Sequence, residues 1–146
     1  MFKLDDRLHA DTYVIGELEL CLLLLMNDSR YPWLILVPKL ANISEVYQLS
    51  EQQQHSLWQE TTLISHTLSQ LVDAHKMNVA TLGNVVNQLH MHVVARHTSD
   101  AAWPAPVWGA GIAQPYQVQQ VRKIQQQLNA ALKHKLTLCE VTHEQA

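Results

Sequence analysis

The N-terminal part of the chain alternates between apolar runs and short polar breaks. Three runs occur between residues 12 and 38, and their sequences are TYVIGELEL, CLLLLM and YPWLILVP. Gly16 lies within the first run, and the polar stretch NDSR at residues 27–30 separates the last two. Apolar runs of this length, bounded by turn-forming residues, are typical of buried strands, so we predict three strands here.

The pattern changes at Ser50, after which apolar residues recur at helical spacing. Ser50 and Gln53 have the spacing of a capping box, in which each side chain satisfies a free backbone N–H at the start of a helix. The apolar stripe that follows consists of Leu57, Ile64, Leu68, Leu71 and Val72. Because neither glycine nor proline interrupts residues 51–76, the pattern predicts one long helix that buries this stripe.

Two more strands are predicted between residues 77 and 96, where short apolar runs return. Gly83 and Asn84 mark a bend or a tight connection between them. Prolines, glycines and small residues are then frequent in residues 97–111, which indicates a loop.

A second helix is predicted in the C-terminal part, where Pro115 suits a first helical turn and residues 121–132 carry an apolar stripe. Residues 135–146 form a weakly specified tail. The resulting order, β-β-β-α-β-β-α, lacks βαβ alternation, so we predict a single α+β domain with a largely antiparallel five-stranded sheet crossed by the long helix. Residues 1–113 form the main domain, and residues 114–146 add a C-terminal helix and tail packed on the same domain.

Composition and charge narrow the class of protein. The 146 residues, 47% hydrophobic and 16% charged, suit one globular domain with its own core. The net charge of -3 does not suggest a basic surface for nucleic acid, and the longest apolar run is too short to cross a bilayer. We therefore expect neither nucleic acid nor a membrane as a partner. Cys21 and Cys139 lie far apart without a CxxC motif, which favours a reducing, cytoplasmic setting.

The segment that carries candidate chemistry is QLHMHVVAR, residues 88–96, in which polar and apolar side chains alternate. On a strand, Gln88, His90 and His92 share one face, each about 7 Å from the next. The opposite face carries Leu89, Met91 and Val93, which anchor the strand in the core. This spacing lets one imidazole attack a chemical group that its neighbours hold.

Three interpretations of this polar row are open on the residues alone. The polar face can simply be exposed to solvent. His90 and His92 can bind zinc, although two histidines are too few for a structural site and neither cysteine has ligand spacing to them, so we expect no metal. A neutral imidazole is also a nucleophile at pH 7, and its neighbours can donate to phosphate oxygens.

The segment NVVNQLHMHVVAR, followed by WPAPVWG, resembles the signature of the histidine triad (HIT) superfamily, His-φ-His-φ-His-φ-φ with φ apolar. Gln88 stands where that signature has its first histidine, and His90 and His92 match the second and third. The segment LLLLMNDSRYPWLILVPK is similar to the paired strands that hold the nucleoside, and residues 44–76 are similar to the turn and long helix of that superfamily. The resemblance implies a HIT-like fold for the main domain, with the C-terminal tail outside the common core.

The resemblance also implies a covalent mechanism at the α-phosphate of a nucleotide. His90 would attack the phosphorus and His92 would hydrogen-bond the phosphate oxygens, while the backbone carbonyl at position 88 orients the His90 ring. The Gln88 amide can donate to a phosphate oxygen but cannot carry a proton, which leaves the efficiency of hydrolysis open. No cofactor is needed for this route.

Further candidate binding residues follow from the resemblance and from the needs of a purine. Asn84 matches a position that contacts phosphate or sugar and Asn27 a position near the ribose, although either asparagine also suits a turn. Three apolar residues are candidate walls of a base pocket, or plain core: Leu8, Trp33 and Ile35. Trp103 and Trp108 either cover the substrate or pack across a dimer interface.

We therefore expect a cytoplasmic, homodimeric HIT-like enzyme. It would be a nucleotide hydrolase or nucleotidyl transferase that acts on a dinucleoside polyphosphate or a nucleoside phosphoramidate carrying a purine. The alternative is a nucleotide-binding regulatory module with weak catalysis, and Gln88 keeps this alternative open. Nucleic acid and membranes are not expected partners.

Overall fold

One antiparallel sheet forms the centre of the structure, a computed structural model that describes residues 1–142. Its strands are β1 (Thr12–Glu17), β2 (Cys21–Met26), β3 (Trp33–Pro38), β4 (Lys76–Ala80), β5 (Met91–Arg96) and β6 (Thr137–Leu138). The helices are α1 (Asp6–Asp11), α2 (Glu51–Val72) and α3 (Val118–Leu132), with a 3-10 turn at Val46–Gln48. The strand order is β4-β5-β3-β2-β1-β6, and the predicted α+β class is confirmed.

Strand β6 is the strand that the sequence pattern did not predict. Its two residues pair with Gly16 and Glu17 at the outer edge of β1. Gly16 allows this approach, because a Cβ atom there would lie 2.6 Å from the Thr137 carbonyl oxygen. A two-residue strand has no periodicity of its own, so the predicted five-stranded sheet is one strand short.

Helix α2 begins at the predicted capping box. The Gln53 N–H donates to the Ser50 hydroxyl oxygen at 3.2 Å, and the Ser50 N–H donates to Gln53 Oε1 at 2.9 Å. The helix ends at Val72 because Asp73 takes a left-handed conformation with a φ of 50°. The helix is therefore about one turn shorter than the uninterrupted stretch of residues 51–76 predicts.

The two faces of the sheet have different roles. Helices α2 and α3 cover one face, which we call the helix side, and its buried core includes Leu23, Leu36, Leu57, Ile64, Met91, Val93, Val121 and Leu128. The other face, which we call the open side, carries a smaller apolar cluster to which α1 and the loop after β5 contribute Leu8 and Val107. Truncation of the fully buried Ile64 to alanine would cost about 2–5 kcal/mol.

The strand predicted over residues 88–94 begins only at Met91, and the predicted alternation of faces holds for the core residues before and within it. Leu89, Met91 and Val93 belong to the helix-side core. His92 lies opposite Ile35 in the β3–β5 register, and Ile35 belongs to the open-side cluster. The helix-side core therefore anchors the histidine row while its imidazoles face the open side.

The C-terminal helix starts later than the sequence predicts. Gln117 caps α3 and Val118 is its first residue, so Pro115 precedes the helix and does not lie in its first turn. Helix α3 packs into the same core as α2. The last part of the predicted tail, residues 143–146, lies outside the described residues. Within residues 1–142, no helix combines the length and the apolar character that crossing a membrane requires.

Candidate functional site

His90, the last residue before β5, is held by its own neighbour in the chain. Its Nδ1 lies 2.7 Å from the backbone carbonyl oxygen of Gln88. Because a carbonyl can only accept, a neutral His90 ring carries its proton on Nδ1 and keeps a free lone pair on Nε2. The carbonyl contact that the resemblance implied is therefore present, and His90 offers a nucleophilic nitrogen in a fixed direction.

His92 is held in the opposite tautomer by Trp33. The Trp33 indole N–H donates to His92 Nδ1 at 3.0 Å. Because an indole nitrogen only donates, the proton of a neutral His92 lies on Nε2. That Nε2 is buried and makes no hydrogen bond of good geometry among residues 1–142, although the backbone of Leu82 lies near enough to affect the pKa of the ring. His92 therefore carries a buried N–H that is available to an acceptor atom.

Burial keeps His92 uncharged at neutral pH. The pKa of His92 is lowered to about 4, mainly because burial removes the ring from water and secondly because of the charge of nearby His90. A contact with the backbone of Leu82 raises the pKa and offsets part of this shift. The imidazole is 4% exposed. His92 can therefore donate a hydrogen bond at pH 7 without adding a positive charge to the site.

Aromatic rings pack around His92, and His92 in turn packs against His90. The ring centroids of His90 and His92 lie 4.7 Å apart, with the planes inclined by 71°. Trp108 packs edge-on against His92 at 5.2 Å and against Trp33 at 5.8 Å. This packing is of the edge-to-face kind that aromatic pairs prefer.

A cavity of about 370 Å³, which we call the apolar cavity, opens beside these rings. Among its lining residues are Leu8, Trp33, Val86, His90, His92 and Trp108. Two of the predicted pocket walls, Leu8 and Trp33, thus line the same cavity as both histidines. Ile35 does not line it, because this residue is fully buried in the sheet opposite His92.

A second cavity of about 200 Å³, which we call the polar cavity, is also lined by His90. Its polar lining includes Ser44, Glu45, Asn84, Asn87 and Gln88. His90 and Asn84 line both cavities. The loop between β4 and β5 spans residues 81–90, so Asn84 sits at a bend in a long loop and not in a tight hairpin.

Two predicted site residues direct their side chains elsewhere. Gln88 borders the polar cavity, but its side-chain Oε1 accepts from the Asp5 N–H and its Nε2 donates to the Lys3 carbonyl, both at 2.9 Å. Asn27 does not line the apolar cavity, and its Oδ1 accepts from the Tyr116 N–H at 2.8 Å. Both amides thus connect distant parts of the chain.

A buried ion pair positions the loop that carries Trp108. Arg96, 1% exposed, donates to both carboxylate oxygens of Asp100 at 2.8 and 3.0 Å and to the Ala105 carbonyl at 2.8 Å. Hydrogen bonding from Arg96 lowers the pKa of Asp100 to about 2. Asp100 also accepts from the Trp103 N–H at 2.7 Å. The sequence signal for this pair, an arginine ending an apolar strand with an aspartate four residues later, was not recognised.

The tryptophans of this loop have separate positions. Trp108 lines the apolar cavity. Trp103 instead lies against the Arg96 guanidinium at 5.6 Å and packs edge-on against His75 at 5.3 Å. Within residues 1–142, no three side chains of His, Cys, Asp or Glu are grouped to hold a metal ion.

An antiparallel sheet with a pair of histidines where β5 begins is the arrangement expected of a histidine triad protein. Residues 7–99 match the HIT domain family. The match covers more than half of the chain, so the chain belongs to the HIT domain family. No curated protein matches it.

Several solved structures share the fold. A histidine triad (HIT) protein of Sinorhizobium meliloti 1021 is 45% identical, with a TM-score of 0.88 over 90% of this chain and 97% of that chain. A histidine triad protein of Marinobacter aquaeolei VT8 is also 45% identical, with a TM-score of 0.88 over 91% of this chain and 97% of that chain. A hypothetical histidine triad nucleotide-binding protein of Sulfolobus tokodaii strain7, 15% identical with a TM-score of 0.65 over 84% of each chain, shares the fold.

Proposed function

We propose that the protein binds a purine nucleotide conjugate and that His90 attacks its α-phosphorus, so that the nucleotide is transferred or hydrolysed through a nucleotidyl-histidine. One observation carries the proposal. His90 lines both the apolar and the polar cavity. Because its Nδ1–H donates to the Gln88 carbonyl, the lone pair on Nε2 is free to attack.

The two cavities suit the two parts of such a substrate. The purine and ribose occupy the apolar cavity, where Trp33 and Trp108 supply aromatic surface and Leu8 and Val86 supply apolar walls. The leaving group, a polyphosphate or an amine, extends into the polar cavity. Asn84 borders both cavities, so it is placed to donate to the phosphate between them.

The chemistry divides between the two histidines. In the first step the His90 Nε2–P bond forms and the bond from phosphorus to the leaving group breaks. The resulting positive charge on the ring is stabilised by its Nδ1–H on the Gln88 carbonyl. His92 donates its buried Nε2–H to a phosphate oxygen, which supplies the partner that this atom lacks. A polyphosphate leaves as an anion, whereas an amine leaving group takes a proton from the solvent. Water then attacks the phosphorus and gives its proton to the solvent, and the Nε2–P bond breaks to release His90.

The substrates proposed are dinucleoside polyphosphates and nucleoside phosphoramidates. The test is to incubate the protein with diadenosine polyphosphates and adenosine phosphoramidate and to follow AMP release. We expect release from at least one of them, loss of release in His90→Ala, and unchanged release in His66→Ala, which alters an exposed histidine on α2. Release that survives in His90→Ala would contradict the mechanism.

The second candidate function is a nucleotide-binding module with weak catalysis. The observation that favours it is the Gln88 side chain, which has no titratable proton and is occupied by Lys3 and Asp5. AMP binding without turnover of any substrate would establish this second function. Absence of both binding and turnover would contradict both functions.

We also propose the homodimer and the cytoplasmic location that the sequence analysis predicts. Strand β4 is an edge of the sheet, and Val79 on it is 38% exposed. A second copy would cover this apolar surface. Light scattering is expected to give the mass of two chains, and a monomer at all concentrations would exclude the dimer.

A further inference from the structure

The side chain of Gln88 forms a two-point contact with the N-terminal segment, residues 1–5. Its Oε1 accepts from the Asp5 N–H and its Nε2 donates to the Lys3 carbonyl, each at 2.9 Å. The backbone carbonyl of the same residue accepts from His90 Nδ1. Gln88 therefore joins the N-terminal segment to the proposed nucleophile.

This contact requires an uncharged carboxamide. One acceptor and one donor must lie side by side to meet a backbone N–H and a carbonyl two residues apart. The two nitrogens of an imidazole point away from each other, so histidine cannot reach both groups. A glutamate has the same size but only acceptors when ionised, so one oxygen would face the Lys3 carbonyl without a proton between them.

The segment that Gln88 holds leads directly into a wall of the apolar cavity. The Asp5 side chain accepts from the Arg7 N–H at 2.8 Å and caps α1. Helix α1 has only six residues, too few to persist without external contacts. Leu8 on this helix is 4% exposed and lines the apolar cavity, while Phe2 and Leu4 pack against the open-side cluster.

We propose that Gln88 is a positioning residue that fastens the N-terminal segment and α1 against the apolar cavity, and that it thereby sets the affinity for the nucleotide. The nucleotide part rests on the proposed function, whereas the fastening does not. Gln88 acts through Leu8 and the segment. Its side chain is directed to the segment, where it bonds Lys3 and Asp5.

The first experiment measures hydrogen exchange of residues 1–11 in the full-length protein without nucleotide. In Gln88→Glu we expect the exchange of this region to increase about tenfold or more, because the hydrogen bond to the Lys3 carbonyl is lost and a carboxylate oxygen then faces that carbonyl. The matched control is Gln126→Glu, the same change at an exposed position on α3. Unchanged exchange of residues 1–11 in Gln88→Glu would overturn the proposal whether or not the protein binds nucleotides.

Acidification provides a rescue that general unfolding would not give. A protonated carboxyl again offers one donor and one acceptor, so at about pH 4 and below the Gln88→Glu protein is expected to regain protection of residues 1–11 toward the wild-type level at the same pH. If the exchange instead rises equally along the whole chain and acid does not reverse it, the variant has lost its general fold, and the fastening role is refuted.

The second experiment measures AMP binding by calorimetry. We expect the Kd to increase about tenfold in Gln88→Glu and to stay at the wild-type value in Gln126→Glu. In the turnover assay the change should appear mainly in KM, with kcat retained. A freed segment combined with unchanged AMP affinity would overturn the proposed link to binding. Absence of AMP binding in the wild-type protein would instead overturn the proposed function, and hydrogen exchange would still decide the fastening role.

Discussion

Burial of His92 should make the protein less stable in acid, and His92→Asn should remove that contribution. Burial first, and then the charge of His90, lowers the pKa of His92 from 6.5 to about 4. Between these values the unfolded chain binds more protons at this residue than the folded protein does. Stability therefore rises with pH across this window and falls as the pH is lowered through it.

The size of the effect follows from the two pKa values. At 1.36 kcal/mol per pKa unit, the difference between 6.5 and about 4 amounts to about 3 kcal/mol of unfolding free energy. Most of it, about 2.5 kcal/mol, is lost by about pH 4.5. Asparagine suits the test because it does not titrate and its side-chain oxygen can still accept from the Trp33 indole N–H.

The assay is guanidinium unfolding of both proteins at about pH 7.5 and pH 4.5. On going from about pH 7.5 to pH 4.5, the free energy of unfolding is expected to fall by about 2–3 kcal/mol more in the wild-type protein than in His92→Asn. The other ionisable residues that line the same cavity, Arg7, Asp11 and His90, are present in both proteins. Equal losses in the two proteins, or a similar difference for the exposed His66→Asn, would refute the assignment of the acid sensitivity to His92 burial.

Three further outcomes are expected. Asp100→Ala should lower the free energy of unfolding by about 3–5 kcal/mol, because the buried Arg96 loses its counterion; a loss below about 1 kcal/mol in guanidinium unfolding would show that the pair is not structural. Gln88→His should weaken AMP binding about tenfold in calorimetry, since an imidazole cannot hold both Lys3 and Asp5; tighter binding would contradict the positioning role. Ser50→Ala should cost about 1 kcal/mol through loss of the capping box, and Ser65→Ala, on the same helix, provides the comparison in thermal unfolding.

The parts of the fold that could be predicted are those specified by neighbouring residues. The three strands between residues 12 and 38 follow from apolar runs and turn residues, and the start of α2 follows from Ser50 and Gln53. Helix α1 and strand β6 were missed because elements of six and two residues carry too little periodicity. Their stability comes from contacts with distant segments.

The candidate site was predicted in the same partial way. Alternation placed His90 and His92 on one face of the chain, and the structure brings them together with Leu8, Trp33 and Asn84 at one cavity. It does not bring the side chains of Asn27, Ile35 or Gln88 into that cavity. Each of these three has other partners that local sequence does not reveal: Tyr116, the sheet core, and the N-terminal segment.

The sequence by itself determined which side chains alternate on β5, where α2 starts, and the resemblance that points to His90 as the nucleophile. Only the tertiary structure decided the state of those side chains. The tautomer of His92 depends on Trp33, which is 59 residues away in the sequence. The hydrogen bonds of the Gln88 amide depend on Asp5 and Lys3, which are 83 and 85 residues away. The physical reason is that strand and helix periods arise from local backbone geometry, whereas pKa values and long-range hydrogen bonds depend on which distant segments meet after folding.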